Sequence, residues 1–296
     1  MKYIFIFCFL LGIYSTKAQT KSIELKTNAD GNTLLWEITG NGLAKPSYLY
    51  GTFHLLCKQD IHFSDACRQA IKNSNKIYFE LDIDNPATLL GGLMLMNMKD
   101  GKKLEDFIDT VEFDRVSDYF KDSLKTPLGI FKNMKPYFLI AMLYPKMMPC
   151  QTVSGVEEGI MAIAKKDNKE IDGLETMAFQ ASIFDSIPYE QQAKELLHTI
   201  DSMEKSRKYF ALMNKTYLQQ DLKSIKEMML DTTFGMQENQ DILLYNRNKV
   251  WVIKLNEIMK KEPVFTAVGS GHLVGQEGLI QLLRNEGYSV RPIENK

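Results

Sequence analysis

The chain has 296 residues, of which 45% are apolar and 25% are charged, and its formal net charge is −1. This composition supports a hydrophobic core and excludes an intrinsically disordered chain. Its 36 basic residues are balanced by 37 acidic ones, without the excess of positive charge that nucleic-acid binding requires, so no nucleic-acid partner is predicted.

The N-terminal segment has the features of a secretory signal peptide. Lys2 provides a positive charge, residues 3–14 are almost continuously apolar, and Thr16-Lys17-Ala18 places small residues where a signal peptidase cuts. We therefore predict a signal peptide over residues 1–18, cleavage near Ala18, and a periplasmic or extracellular mature protein. No later segment is long and apolar enough to be a membrane helix, so no membrane span is predicted.

The region after the signal begins with two predicted strands, residues 34–39 and 47–53, which are separated by glycine and proline turn signals and form a hairpin. Ser64 is a suitable cap for a helix that runs to about Asn75. Residues 76–82 form a third strand. Strand, helix and strand at this spacing predict a crossover unit and a partly parallel sheet.

The middle of the chain, residues 86–261, is predicted to be mainly helical because apolar residues recur there at intervals of three and four. Residues 171–174 have the character of a lone strand within it. The chain ends with a second strand–helix–strand unit, with strands at 263–268 and 288–291 and a helix at 276–286.

These elements predict an α/β (α+β) fold in one domain over residues 19–296. A mixed central sheet is formed by the N- and C-terminal segments, residues 34–84 and 263–293. The helical middle is a large insertion that packs on this sheet.

Two motifs of the form Gly-x-x-His close apolar, strand-like segments. Gly51-Thr52-Phe53-His54 follows Tyr48-Leu49-Tyr50, and Gly269-Ser270-Gly271-His272 follows residues 264–268. A glycine at a strand end allows a sharp turn and close approach of a ligand. If both strands belong to one sheet, His54 and His272 converge at its edge and can bind one metal ion.

Acidic residues at the ends of other predicted strands complete this candidate site. Glu80, at the end of the third strand, is the best carboxylate and either ligates the metal or takes the proton from an attacking water. Asp82 and Asp84 are more simply explained as exposed loop acids. Glu175 follows the lone strand and supports the site or the substrate; its alternative is an acid at a helix N-terminus.

Three cysteines, Cys57, Cys67 and Cys150, follow the signal. An odd number excludes complete pairing within one chain. Cys57 and Cys67 are a possible bridge in an oxidising compartment, Cys57 is also a possible metal ligand, and all three suit buried apolar positions.

Several motifs occur in the order found in one known family. They are Tyr50-Gly-Thr-Phe-His54, Phe79-Glu-Leu-Asp82, Gly173-Leu-Glu-Thr176, Arg247-Asn248, and Gly269-Ser-Gly-His272 followed by Leu273-Val-Gly-Gln-Glu-Gly-Leu279. In these motifs, over residues 34–293, the chain resembles the TraB/GumN family. That family includes the Tiki proteins, described as metal-dependent proteases built around two Gly-x-x-His motifs, and is similar to erythromycin-esterase-like (EreA) and haem-binding ChaN-like proteins.

The resemblance implies that Arg247 points into the site, where it could stabilise an oxyanion, although a surface ion pair is its alternative. It also implies a divalent metal ion, Mn, Co or Zn, held by His54, His272 and Glu80, with Glu80, Arg247 and Glu175 as catalytic residues. The predicted function is an exported metal-dependent hydrolase, a peptidase acting on a peptide or small-molecule substrate. The alternatives are a haem- or metal-binding protein without catalysis, and a family member that has kept only the fold.

Overall fold

The structure is a computed structural model that describes residues 31–230 and 239–296. The predicted signal peptide and its cleavage point near Ala18 lie outside these residues. Within the two described ranges, no helix combines the length and the apolar character that crossing a membrane requires.

The described residues form one six-stranded sheet and one short two-stranded ladder. The strands are β1 (Leu35–Gly40), β2 (Ser47–Thr52), β3 (Leu56–Cys57), β4 (Lys76–Leu81), β5 (Val153–Ser154), β6 (Glu170–Glu175), β7 (Val264–Gly269) and β8 (Tyr288–Pro292). The ladder consists of β3 and β5.

Helices occupy most of the segment between β4 and β7. The helices are α1 (Asp65–Asn73), α2 (Pro86–Leu95), α3 (Thr110–Leu124), α4 (Pro136–Met147), α5 (Val156–Lys166), α6 (Met177–Asp185), α7 (Tyr189–Asp201), α8 (Met203–Leu218), α9 (Leu222–Met229), α10 (Asn246–Met259) and α11 (Leu279–Asn285). The α/β fold with a helical middle is therefore confirmed.

The sheet has the strand order β6-β4-β7-β2-β1-β8. Only β1 runs against its neighbours, since β6, β4, β7 and β2 pair in parallel and β1 pairs antiparallel with both β2 and β8. The sheet is thus mixed and is built mainly from the two ends of the chain, as predicted. The lone strand of the middle joins it at one edge as β6.

The C-terminal strand β7 lies between β4 and β2, so the crossover through α1 spans one intervening strand. Five of its six residues are buried, as expected for a parallel strand covered on both faces. Ser64 caps α1 as predicted, because its hydroxyl accepts the backbone N–H of Cys67 at 3.0 Å. This packing brings the carboxyl ends of β4, β7 and β2 side by side.

The described residues form two hydrophobic cores. One packs the sheet against its helices, with Phe79, Phe265 and Trp251 among its fully buried members. The other lies within the helical middle and contains Phe120 and Leu143. The middle is therefore a packed unit of its own beside the sheet.

A disulfide links Cys57, at the end of β3, to Cys150. Cys67 is a free thiol buried in α1, so the suggested Cys57–Cys67 bridge is wrong. The reason is that Cys57 pairs with Val153 in the β3–β5 ladder, and Cys150 lies just before that strand, whereas Cys67 faces the core. A Cys57 held in a disulfide cannot serve as a metal ligand.

Candidate active site at the edge of the sheet

The two Gly-x-x-His motifs and Glu80 meet at one edge of the sheet. They follow or end β2, β7 and β4, three neighbouring parallel strands. The carboxyl ends of parallel strands lie on the same edge, where open α/β sheets place their ligands. The order of these strands in space explains how residues more than 200 positions apart become neighbours.

Gly269 marks the point on which the three predicted groups converge. A Cβ atom placed on it would lie 3.3 Å from Oε1 of Glu80, 3.5 Å from Nε2 of His54 and 3.7 Å from Cδ2 of His272. A Cβ here would be in tight contact with Glu80 and in ordinary van der Waals contact with both histidines, so Gly269 lets the three groups approach the backbone closely. The predicted convergence of the two imidazoles is therefore present in the structure.

His54 is the solvent-facing member of the group. Its side chain is 70% exposed, and its Nδ1 lies 2.7 Å from Oε1 of Glu157, in the first turn of α5. The charge of Glu157 raises the pKa of His54 from 6.5 to about 9. Solvent screens an exposed ion pair, so this contact mainly orients the ring and turns Nε2 toward the site.

His272 is the buried member, with a side chain that is only 4% exposed. Its Nδ1 lies 2.6 Å from Oδ1 of Asn248, and its Nε2 lies 3.2 Å from Nη1 of Arg247. Burial lowers the pKa of His272 to about 3. Since a guanidinium can only donate, the neutral ring carries its proton on Nδ1 and its lone pair on Nε2.

Asn248 fixes this orientation of His272. Its Nδ2 donates to the backbone oxygens of His272 at 3.2 Å and Glu277 at 2.7 Å. Its Oδ1 is therefore the atom left to face the imidazole. The indole of Trp251 also lies against the ring, with centroids 4.4 Å apart.

Glu80 is a buried carboxylate with several donors around it. Oε1 accepts the N–H of Gly269 at 2.9 Å and lies 3.7 Å from Nε2 of His272, and Oε2 is 2.5 Å from Nη2 of Arg247. Burial alone would raise the pKa of Glu80, yet it lies well below the ordinary range. Because His272 is uncharged, we assign this lowering chiefly to the permanent charge of Arg247.

Arg247 is held inside the site and not in a surface ion pair. Its Nη2 and Nε bind the two oxygens of Glu175 at 2.6 and 3.2 Å, and its Nη1 donates to the carbonyl of Leu243 at 2.8 Å. Its guanidinium stacks over Trp251 at 4.6 Å from the ring centroid. A cation bound on so many sides is fixed in position.

Glu175, the last residue of β6, faces Arg247 and not solvent. It is 4% exposed, and its Oε2 also accepts the indole N–H of Trp251 at 3.1 Å. Burial raises the pKa of Glu175, against the opposing effect of Arg247. The arrangement makes Glu175 a positioning residue for the guanidinium.

The donor chemistry of the site suits a divalent ion. Each histidine has its Nδ1 bound to a partner, Glu157 or Asn248, which directs Nε2 into the site, and this is the usual arrangement around metal-binding imidazoles. Because the pKa of His54 is about 9, its Nε2 must lose a proton before it can bind an ion. Glu80 adds a carboxylate oxygen beside them. Among residues 31–230 and 239–296, however, no three His, Cys, Asp or Glu side chains are close enough to form a ready-made metal-binding group. Arg247 lies against the lone pair of His272.

Three residues of this network were not identified from the sequence: Glu157, Asn248 and Trp251. Asn248 is part of the Arg247-Asn248 motif, and this motif could have identified it as a residue of the site. Of the other acids, Asp84 forms an ion pair with Lys165 of α5, in agreement with a loop role.

Comparison with known proteins identifies similar sequences. The TraB/PrgY/gumN family matches residues 34–292. Metalloprotease TIKI2 of Danio rerio is 21% identical over 93% of this chain and 63% of its own length. Metalloprotease TIKI1 of Homo sapiens is 23% identical over 92% of this chain and 64% of its own length. The chain thus spans less than two thirds of these relatives. No solved structure matches, so the EreA/ChaN likeness stays a prediction.

Proposed function

Because the chain belongs to the TraB/PrgY/gumN family, we propose that it is a metal-dependent hydrolase that cleaves peptide bonds beside Gly269. The observation that carries this proposal is the convergence of His54, Glu80 and His272 within 3.7 Å of one point. Relatives named metalloproteases support it, over the part of their length that this chain matches.

In this proposal Nε2 of His54, Nε2 of His272 and Oε1 of Glu80 hold the ion. A divalent metal ion bound there supplies a Lewis acid and lowers the pKa of its bound water toward neutrality. Arg247 contacts both Glu80 and His272, so these two contacts must lengthen when the two residues bind the ion, while its bonds to Glu175 remain. Mn²⁺, Co²⁺ and Zn²⁺ all accept imidazole and carboxylate ligands.

The lowered pKa of Glu80 favours one of its two predicted roles. A carboxylate that stays ionised far below neutral pH is a weak proton acceptor, so it is poorly suited to act as general base. The same property suits a ligand, because a carboxylate must be deprotonated to bind a metal ion. We therefore assign Glu80 to metal binding.

Arg247 gives the site a fixed positive charge. Negative charge develops on the carbonyl oxygen during peptide hydrolysis, and preorganised positive charge in a water-poor site stabilises it. Glu175 and Trp251 keep the guanidinium in place through the reaction. The exposed side of His54 is where a substrate approaches, since the other two groups are buried.

We also propose export with loss of residues 1–18. The Cys57–Cys150 disulfide supports this, because such bonds persist in oxidising compartments such as the periplasm or the exterior of the cell. To test export and cleavage, the full chain is expressed and the purified protein is analysed by mass spectrometry. The expected N-terminus is Gln19, and an intact Met1 with four free thiols, those of Cys8, Cys57, Cys67 and Cys150, contradicts it.

The test of the activity uses residues 19–296, a mixed peptide library, and added Mn²⁺, Co²⁺ or Zn²⁺. Cleavage detected by mass spectrometry should disappear in His54→Ala and in His272→Ala. His198→Ala is the matched control, because His198 is an exposed histidine on α7. Cleavage that survives both site variants contradicts the proposal.

Metal content gives a second readout that does not depend on finding a substrate. Elemental analysis should show about one ion per chain in the wild type and little in the double histidine variant. Equal content in the two proteins contradicts the proposed ligand set. A Soret band on adding hemin, lost in His54→Ala, favours the haem-binding alternative instead.

A further inference from the structure

A cavity opens beside His54 and runs between the sheet edge and the helical middle. Its volume is about 420 Å³, within the roughly 300–1,000 Å³ of typical small-molecule sites. His54 and Leu243 line it, and the carbonyl of Leu243 holds Arg247. The cavity is therefore continuous with the candidate active site.

Half-buried aromatic side chains form most of the wall. They come from the Gly-x-x-His segment and from α4, α6 and α8, and they are Phe53, Tyr137, Phe138, Tyr144, Phe184, Tyr209 and Phe210. Rings arranged in this way favour another aromatic group, by edge-to-face or offset contacts. Several are already paired like this, for example Phe138 and Phe184, whose ring centroids are 5.0 Å apart.

One polar atom in the wall indicates what else the occupant carries. Ser206 of α8 is fully buried, and its Oγ has no hydrogen-bond partner among the described residues. A buried hydroxyl without a partner is unfavourable unless a ligand or water supplies one. The cavity thus leads from an exposed imidazole to a buried hydroxyl that can bind a polar group.

Besides its tyrosines, two ionisable side chains lie in the wall, the imidazole of His54 and the carboxyl group of Glu195. Glu195 is half-buried on α7 and lines the same cavity. The carboxyl group of Glu195 disfavours an aspartate or glutamate side chain beside it by like-charge repulsion. Glu195 therefore counts against an acidic occupant at its own part of the wall.

We propose that this cavity binds an aromatic side chain of the peptide substrate, and that it prefers tyrosine because the phenol hydroxyl bonds to Ser206. The substrate assignment rests on the proposed hydrolase function. The bound side chain would place the adjoining peptide beside His54. The cavity is then the specificity pocket of the enzyme.

Binding is tested without metal and without cleavage. N-acetyl-tyrosine amide, N-acetyl-phenylalanine amide and N-acetyl-serine amide are titrated into the mature protein, and dissociation constants are measured by NMR. Both aromatic amides should bind, the tyrosine amide about fivefold more tightly, and the serine amide should not. Equal binding of all three, or of none, overturns the proposal.

Two variants localise the binding. Ala141 of α4 is exposed and lines the cavity, so Ala141→Phe should weaken binding of both aromatic amides at least about tenfold by filling the space. Ala211→Phe, at an exposed alanine of α8 outside the wall, is the control and should bind as the wild type does. Unchanged binding in a folded Ala141→Phe overturns the proposal.

Ser206→Ala tests the hydroxyl contact with little risk to folding. It should make the affinities for the tyrosine and phenylalanine amides equal, and a retained preference overturns the role of Ser206. These titrations also separate the two proposals. Aromatic binding by a protein with no peptidase activity would support the cavity assignment and count against the hydrolase.

Discussion

Oε1 of Glu157 lies 2.7 Å from Nδ1 of His54, although the two residues are 103 positions apart. The contact depends on a backbone bond, since the N–H of Val156 donates to the carbonyl of Phe53 at 3.1 Å and brings the start of α5 against the first Gly-x-x-His motif. The carboxylate sets the direction of an otherwise exposed ring. Glu157 therefore belongs to the site although it faces no substrate.

Replacement of Glu157 by glutamine should weaken metal binding and activity. The size of the side chain is kept, while the negative charge that faces Nδ1 of His54 is lost. Hydrogen-bond partners of this kind are worth about 10–100-fold in metal affinity or activity. Metal affinity by calorimetry and peptide cleavage rates measure the effect. Glu190→Gln is the control, because Glu190 is an exposed glutamate on α7 that pairs with Lys194. Equal affinities in the two variants would contradict the role of Glu157.

His272 should make stability depend on pH in a known direction. Its pKa is about 3 in the folded protein and about 6.5 when unfolded, so below pH 6.5 the unfolded chain binds a proton that the folded chain does not. Stabilisation by the neutral ring is complete above pH 6.5 and is lost as the pH falls toward 3. The slope is at most about 1.4 kcal/mol per pH unit.

The contribution of His272 to this pH dependence is measured by urea unfolding of the metal-free protein between pH 8 and 5. The wild type is compared with His272→Gln. The free energy of unfolding of the wild type should fall relative to that of the variant as the pH drops below 6.5. Most carboxylates titrate below this range and are common to both proteins. Parallel curves would show that His272 is not kept neutral by burial.

The sequence predicted the strand-end residues of the site because their positions follow from local patterns. An apolar segment followed by Gly-x-x-His identifies a strand and its end, and Glu80 closes another such segment. The family motifs then indicated Glu175 and Arg247, which lie in contact at 2.6 Å. To bring these residues together, the prediction required only that both ends of the chain contribute strands to one sheet.

The partners of the histidines could not be read in the same way. Glu157 stands beside Glu158 at the start of a helix, and nothing in the sequence distinguishes the acid that reaches His54 from the one that accepts the hydroxyl of Ser154. The cysteine pairing failed for a similar reason. It depends on β3 and β5, two-residue strands too short to show a pattern.

Loss of the Cys57–Cys150 bridge should destabilise the protein by about 2–4 kcal/mol, because the bond closes a loop between residues 93 positions apart. Thermal unfolding of the Cys57→Ser/Cys150→Ser variant measures this. Dithiothreitol should lower the melting temperature of the wild type and of Cys67→Ala, whose thiol is free, but not that of the double variant. A wild type insensitive to reductant would contradict the bridge.

The helical middle contains an ion pair between the buried ammonium of Lys135 and the carboxylate of Asp185. Nζ of Lys135 is 2.9 Å from Oδ1 of Asp185, and the lysine side chain is 1% exposed. Burial alone would raise the pKa of Asp185, but hydrogen bonds from Tyr189 and Lys135 bring it below its ordinary value. The carboxylate is therefore ionised and balances the buried ammonium.

Asp185→Asn should cost about 3–5 kcal/mol of unfolding free energy, because it leaves a buried ammonium without its counter-ion. Lys135 would keep its bonds to the carbonyls of Leu95 and Ala181, both at 2.9 Å, but these cannot neutralise its charge. The variant Lys135→Met/Asp185→Leu removes both charges and should recover most of the loss. Urea unfolding of the wild type and the two variants measures these free energies. A double variant no more stable than Asp185→Asn would contradict the prediction. It would show that the hydrogen bonds of Lys135, and not the neutralisation of its charge by Asp185, stabilise this region.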